Sequence, residues 1–116
     1  MPGSSVLIYH NPRCSKSRQT LELIRGHGIE PTIVEYLDTP PSAAELQAIL
    51  RKLGKSAADI VRRKEALEEG IDVDTLSETA LVEALAAHPR AIERPIVVRG
   101  NQARLGRPPE SVLEIL

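Results

Sequence analysis

Two short β-favouring runs, Val6-Leu7-Ile8-Tyr9 and Thr32-Ile33-Val34-Glu35-Tyr36, stand on either side of a helix-length segment, and that spacing restricts the chain more than any other feature. Strands joined through a helix are expected to lie parallel, with a right-handed crossover. The first run stops at Asn11-Pro12, because proline lacks an N–H for the ladder and constrains the residue before it. Leu21, Leu23 and Ile24 give the connecting segment an apolar face, and Gly26 and Gly28 bracket its end. Open α/β sheets place ligands at the carboxyl ends of their strands. The stretch delivered there is Tyr9-His10-Asn11-Pro12-Arg13-Cys14-Ser15-Lys16-Ser17-Arg18.

Beyond this unit the chain turns helical. Thr39-Pro40-Pro41 breaks the sheet rhythm, Ser42 and Glu45 make a capping box, and Leu46, Ile49, Leu50 and Leu53 follow at helical spacing up to Gly54. Ser56 with Asp59 starts a second, short helix carrying Ile60 and Val61. A third runs from about Thr79 to Ala87 with Leu81, Val82 and Leu85 inward, and stops at His88-Pro89. No linker or composition shift sets these helices apart, so residues 42–89 read as a helical insertion within a single domain spanning 1–116. Ile96–Arg99 returns to the sheet, Gly100-Asn101 turns the chain, and Gln102–Leu105 pairs back. Pro108-Pro109-Glu110 opens a last helix with Val112, Leu113 and Leu116 as its buried face. The order predicts an α/β fold of thioredoxin-like plan: a mixed four-stranded sheet with flanking helices.

Only 2% of the 116 residues are aromatic, two Tyr with no Phe or Trp, so the core must be built from Leu, Ile, Val and Ala. Fifteen basic against sixteen acidic residues leave a net charge of -1. Such a chain has no global field for nucleic acid or an anionic membrane, and any anion site must be local. No apolar run is long enough to span a bilayer, and Met1–Ser5 is too short and polar for a signal peptide. A cytoplasmic location is expected, where a free thiol stays reduced. No nucleic-acid or membrane partner is expected, and the chain should be a monomer.

Cys14 is the only cysteine. A lone cysteine is commonly a small buried hydrophobe, but Arg13, Ser15 and Lys16 around it are not core residues. At a helix start, unsatisfied N–H groups and the positive end of the dipole favour the thiolate, as do Arg13, Lys16 and Arg18. The same donors suit a bound oxyanion. His10 either donates to the thiolate or closes the strand. Arg18 follows Cys14 by four positions, where a phosphatase loop has its arginine at six. Ser17 occupies the place of the second thiol in Cys-x-x-Cys. What is left is single-thiol chemistry.

His10-Asn11-Pro12-Arg13-Cys14-Ser15-Lys16-Ser17-Arg18, then Glu30-Pro31-Thr32, Tyr36–Pro41, Glu93–Val98 and Arg104–Pro108, together resemble the glutaredoxin-dependent arsenate reductase family, and most closely its short members with Cys-Ser-Lys-Ser-Arg. The resemblance implies reduction of arsenate to arsenite, with no metal and no bound cofactor. Cys14 would attack arsenic(V), glutathione would attack the adduct as co-substrate, and a glutaredoxin would supply electrons as partner. The amides of the Ser15, Lys16, Ser17 and Arg18 loop would hold the oxyanion together with Arg62. Arg94 and Arg107 would stabilise the adduct, and His10 and Ser17 would tune the thiolate. Guanidinium groups suit such roles because they are permanently charged and fork-shaped. On its own, Arg62-Arg63-Lys64 reads as a solvated helix face, and Arg63 competes with Arg62 for the assignment. The resemblance also implies that Pro95 is cis and faces the cysteine. Two other classes stay open: a glutathione-linked thioltransferase, which would not need the three arginines, and a thiol-based regulatory binding module, against which Ser17 weighs.

Overall fold

The computed structural model describes residues 5–116, so most of the stretch read as lacking a signal peptide lies outside the described residues. Strand β1 (Val6–His10), helix α1 (Ser15–Gly26) and strand β2 (Thr32–Glu35) form the first part, and β3 (Ile96–Arg99) and β4 (Gln102–Leu105) the last. The sheet order is β2-β1-β3-β4. β1 runs parallel to β2, with Ile8 opposite Ile33, and antiparallel to β3, with Ile8 opposite Val97. β3 and β4 form the expected hairpin, Ile96 opposite Leu105. This is the mixed four-stranded, thioredoxin-like arrangement.

The chain folds into two compact units, Met1–Thr39 with Arg94–Leu116, and Pro40–Glu93. In the first unit, Val6 and Ile8 of β1 and Val97 of β3 pack with Leu21 and Ile24 of α1 and with Val112 and Ile115 near the C-terminus. All seven are aliphatic, as the scarcity of aromatics requires. Each such side chain, fully buried, contributes about 1.5–3 kcal/mol. The closing segment Pro109–Ile115 is a 3₁₀ helix, not the α-helix expected. With three residues per turn, its inward positions recur every third residue, so Pro109, Val112 and Ile115 are buried while Leu113 is exposed. Leu116 is only partly buried, against the same core.

The second unit holds α2 (Ala43–Leu53), α3 (Arg63–Glu68) and α4 (Glu78–Ala87). The capping box of α2 is present: Glu45 N–H donates to Ser42 Oγ at 3.1 Å and Ser42 N–H to Glu45 Oε1 at 2.9 Å. Gly54 ends the helix at φ 70°, a left-handed position that glycine takes without a Cβ penalty. We expect Ser42→Ala to cost about 0.5–2 kcal/mol, seen as a lower denaturant midpoint in urea with unchanged slope. The helix expected to carry both Ile60 and Val61 ends a residue sooner. It is a 3₁₀ turn, Ala57–Ile60, after which Val61 is extended and bridges Ile92. Glu93 N–H donates to the Ile60 carbonyl at 2.7 Å and Arg62 N–H to the Ala91 carbonyl at 2.8 Å. This pairing satisfies backbone groups that a continued helix would have satisfied internally.

Candidate active site

The site follows from two periodicities. Along β1 the inward side chains alternate, Val6, Ile8, His10; along α1 they are Ser17, Thr20, Leu21 and Ile24. Both stripes are apolar at one end and polar at the other, and the polar ends meet. His10 Nδ1 lies 2.6 Å from Ser17 Oγ, with both residues buried. The same Oγ accepts the Asn11 N–H at 3.0 Å. Burial lowers the His10 pKa, with Glu35 opposing and Arg25 and Arg18 reinforcing the shift. His10 is therefore neutral near pH 7, and its hydrogen bond goes to Ser17.

Asn11 shapes the turn that carries the thiol. Its Oδ1 accepts the Arg13 N–H at 2.9 Å, and its carbonyl accepts the Cys14 N–H at 3.0 Å. Cys14 thereby becomes the N-cap of α1, in extended backbone at φ -93° and ψ 123°. Its side chain makes no well-formed capping bond. Burial pushes the thiol pKa up, but the Ser17 N–H, the Arg94 charge, the Lys16 N–H and the Arg107 charge together outweigh it, and the net shift is downward. Arg107 Nη2 reaches to 3.7 Å from Sγ, across 93 positions of sequence. Its Nε donates to the Arg94 carbonyl at 2.8 Å, which fixes one guanidinium edge and leaves the other toward the sulfur.

The cations that lower the thiol pKa are thus Arg94 and Arg107, not the neighbours Arg13, Lys16 and Arg18 that the sequence placed around it. The Ser15, Lys16 and Arg18 side chains are exposed, and Arg18 Nη1 donates to the Pro12 carbonyl at 2.9 Å. Arg62 belongs to the other compact unit, where it pairs with Glu65 at 2.9 Å; Arg63 pairs with Asp74 at 3.2 Å. The Arg94–Pro95 and Arg107–Pro108 bonds are both cis.

Sequence reasoning missed Asn11, whose polar character at a strand end had suggested only a stop signal. It also missed Gly106, whose N–H donates to the Pro95 carbonyl at 2.9 Å. A Cβ there would lie 2.5 Å from Thr20 Oγ1 and 2.7 Å from Pro95 Cγ. The signal available was a glycine between Leu105 and Arg107 with no turn to require it. Among the described residues no group of three or more His, Cys, Asp or Glu is arranged to hold a metal ion.

The electrostatics give a measurable expectation. Alkylation of Cys14 should titrate below the pH of an ordinary cysteine, and Arg107→Ala should move the midpoint upward, because removing the guanidinium withdraws an anion-stabilising charge. A midpoint unmoved by Arg107→Ala would mean that this side chain does not act on the sulfur.

The thioredoxin-like sheet thus carries one thiol at the N-cap position of α1, with Arg107 near its sulfur and the charges of Arg94 and Arg107 favouring its anion. The chain belongs to the ArsC family, whose model matches residues 9–115. It is 52% identical to the uncharacterized protein YfgD of Escherichia coli K12, over 96% of each chain. It is 49% identical to the arsenate reductase of Haemophilus influenzae, over 97% of this chain and 99% of that one. The solved structure of an arsenate reductase from Vibrio cholerae superposes with a TM-score of 0.92 at 50% identity, covering 98% and 99% of the two chains.

Proposed function

We propose that this protein is an arsenate reductase working through one cysteine, with glutathione and a glutaredoxin as reductants. The observation that carries the reading is the Cys14 thiol at the start of α1 with Arg107 at 3.7 Å, in a chain about half identical over its length to proteins named arsenate reductases.

In this mechanism the Cys14 thiolate attacks arsenic(V), and one arsenate oxygen leaves as water after protonation. The α1 amides and Arg107 stand where the adduct's remaining oxygens carry charge, so the same groups that stabilise the thiolate pass to the oxyanion once the sulfur is bonded. A glutathione thiolate then attacks Cys14 Sγ. The new S–S bond forms as the S–As bond breaks, and its electron pair stays on arsenic, which leaves as arsenite. Arsenic gains two electrons, and the two sulfurs lose one each. A glutaredoxin then removes glutathione from Cys14 and restores the thiol. His10 and Ser17 tune the thiolate: their hydrogen bond holds the loop, and the Ser17 N–H favours the anion. Arg94 adds its charge to that of Arg107 in stabilising the adduct.

The test is arsenite formation by purified protein given arsenate, reduced glutathione and glutaredoxin. Turnover supports the reading. Its absence, with the fold intact and the thiol reactive, would favour a thioltransferase, which acts on mixed disulfides without arsenate.

A further inference from the structure

The compact unit that carries Cys14 is electrically unlike the rest of the chain. Residues 1–39 and 94–116 hold eight basic and six acidic side chains, whereas Pro40–Glu93 holds seven basic and ten acidic. Within the first unit most cations have assigned work. Arg25 pairs with Glu30 at 3.0 Å and Arg104 with Glu114 at 2.6 Å. Arg99 Nη1 caps the last carbonyls at Ile115 and Leu116. Arg18 holds Pro12, and Arg107 the Arg94 carbonyl and the sulfur.

Arg13 and Lys16 are the exception. They stand one before and two after Cys14 and are exposed, and no carboxylate among the described residues lies within ion-pair range of either. Arg13 is held through its backbone, by the Asn11 side chain, and the charges that favour the thiolate are those of Arg94 and Arg107. These two exposed cations flank the nucleophile in sequence and carry no ion pair among the described residues, so their charge is open to a molecule arriving from solvent.

We propose that the Arg13 and Lys16 side chains select the attacking thiol by charge, favouring an anionic, carboxylate-bearing thiol such as glutathione over neutral or cationic ones when the Cys14 adduct is resolved. This rests on the reading that an external thiol resolves Cys14, but not on the identity of the oxyanion. Each exposed cation several ångströms from an incoming carboxylate contributes a modest attraction that salt screens, so the two together should be worth about 5-fold in rate at low ionic strength.

The experiment isolates that step. Cys14 is converted to its 2-pyridyl mixed disulfide, and a thiolate is added. Attack on Cys14 Sγ forms a new disulfide and expels pyridine-2-thione, whose absorbance gives the rate; no other oxidant or reductant is needed. Wild type and Arg13→Gln/Lys16→Gln are compared with glutathione, 2-mercaptoethanol and cysteamine, so that each thiol's own reactivity cancels in the ratio of variant to wild type. The expected result is a loss of about 5-fold with glutathione, little change with 2-mercaptoethanol, and a gain with cysteamine, with the differences shrinking at about 1 M salt. Equal slowing of all three thiols would mean that the substitutions damage the loop, and equal rates would mean that these are solvated surface charges; either overturns the proposal. Because no arsenate is present, failure of the arsenate reductase reading leaves this test unaffected.

Discussion

Cys14→Ser should fold as well as the parent protein and form arsenite no faster than the enzyme-free mixture, a loss on the order of 10³-fold or more. Folding should survive because Cys14 is the N-cap of α1 and makes no capping bond there, whereas serine is among the preferred N-cap residues and can accept from an N–H of the first turn. Activity should not survive, because a hydroxyl at this position has no accessible anion near neutral pH and arsenic has no other nucleophile to meet: the chain contains no second cysteine. Circular dichroism and thermal unfolding measure the first half of the claim, and arsenite release the second. Substantial turnover by the folded variant would remove Cys14 from the reaction.

The second large effect lies in the choice of reductant. A two-electron reduction through one protein thiol must end in a disulfide with a sulfur from elsewhere, since Ser17 stands where a resolving thiol could have been and is already bonded to His10 and Asn11. Glutathione with glutaredoxin should sustain many turnovers, and thioredoxin alone almost none. An arrested reaction should show glutathione on Cys14 by mass spectrometry. Sustained turnover with thioredoxin as sole reductant, without that adduct, would contradict the proposed electron route even if arsenate were the substrate.

The elements that could be read from sequence are those set by local rules. The β-favouring run Val6–Tyr9, the capping box of Ser42 and Glu45, and the Gly100-Asn101 hairpin turn all depend on neighbours a few residues apart, and all are present. Where a distant partner decides the backbone, the local pattern misleads. Val61 leaves its helix because Ile92 offers a bridge, and the final segment winds as a 3₁₀ helix that buries Val112 and Ile115 rather than Leu113. The site divides the same way. Cys14 and its place at a helix start were legible, whereas the charges acting on it come from Arg94 and Arg107, which only the family resemblance brought forward. No spacing rule connects residues 93 positions apart.

The Ser17 hydroxyl has an evolutionary consequence. Cys-x-x-Cys enzymes and this chain differ formally by one atom at position 17, so a single substitution would look sufficient to turn one into the other. Here the oxygen holds His10 and the Asn11 N–H at 2.6 and 3.0 Å, in a buried site where sulfur is larger and a weaker acceptor. Ser17→Cys would strand both partners before it offered a usable second thiol. Under the proposed mechanism, a lineage with this arrangement would have to borrow its resolving sulfur from solution, and its activity would follow the abundance of a small thiol.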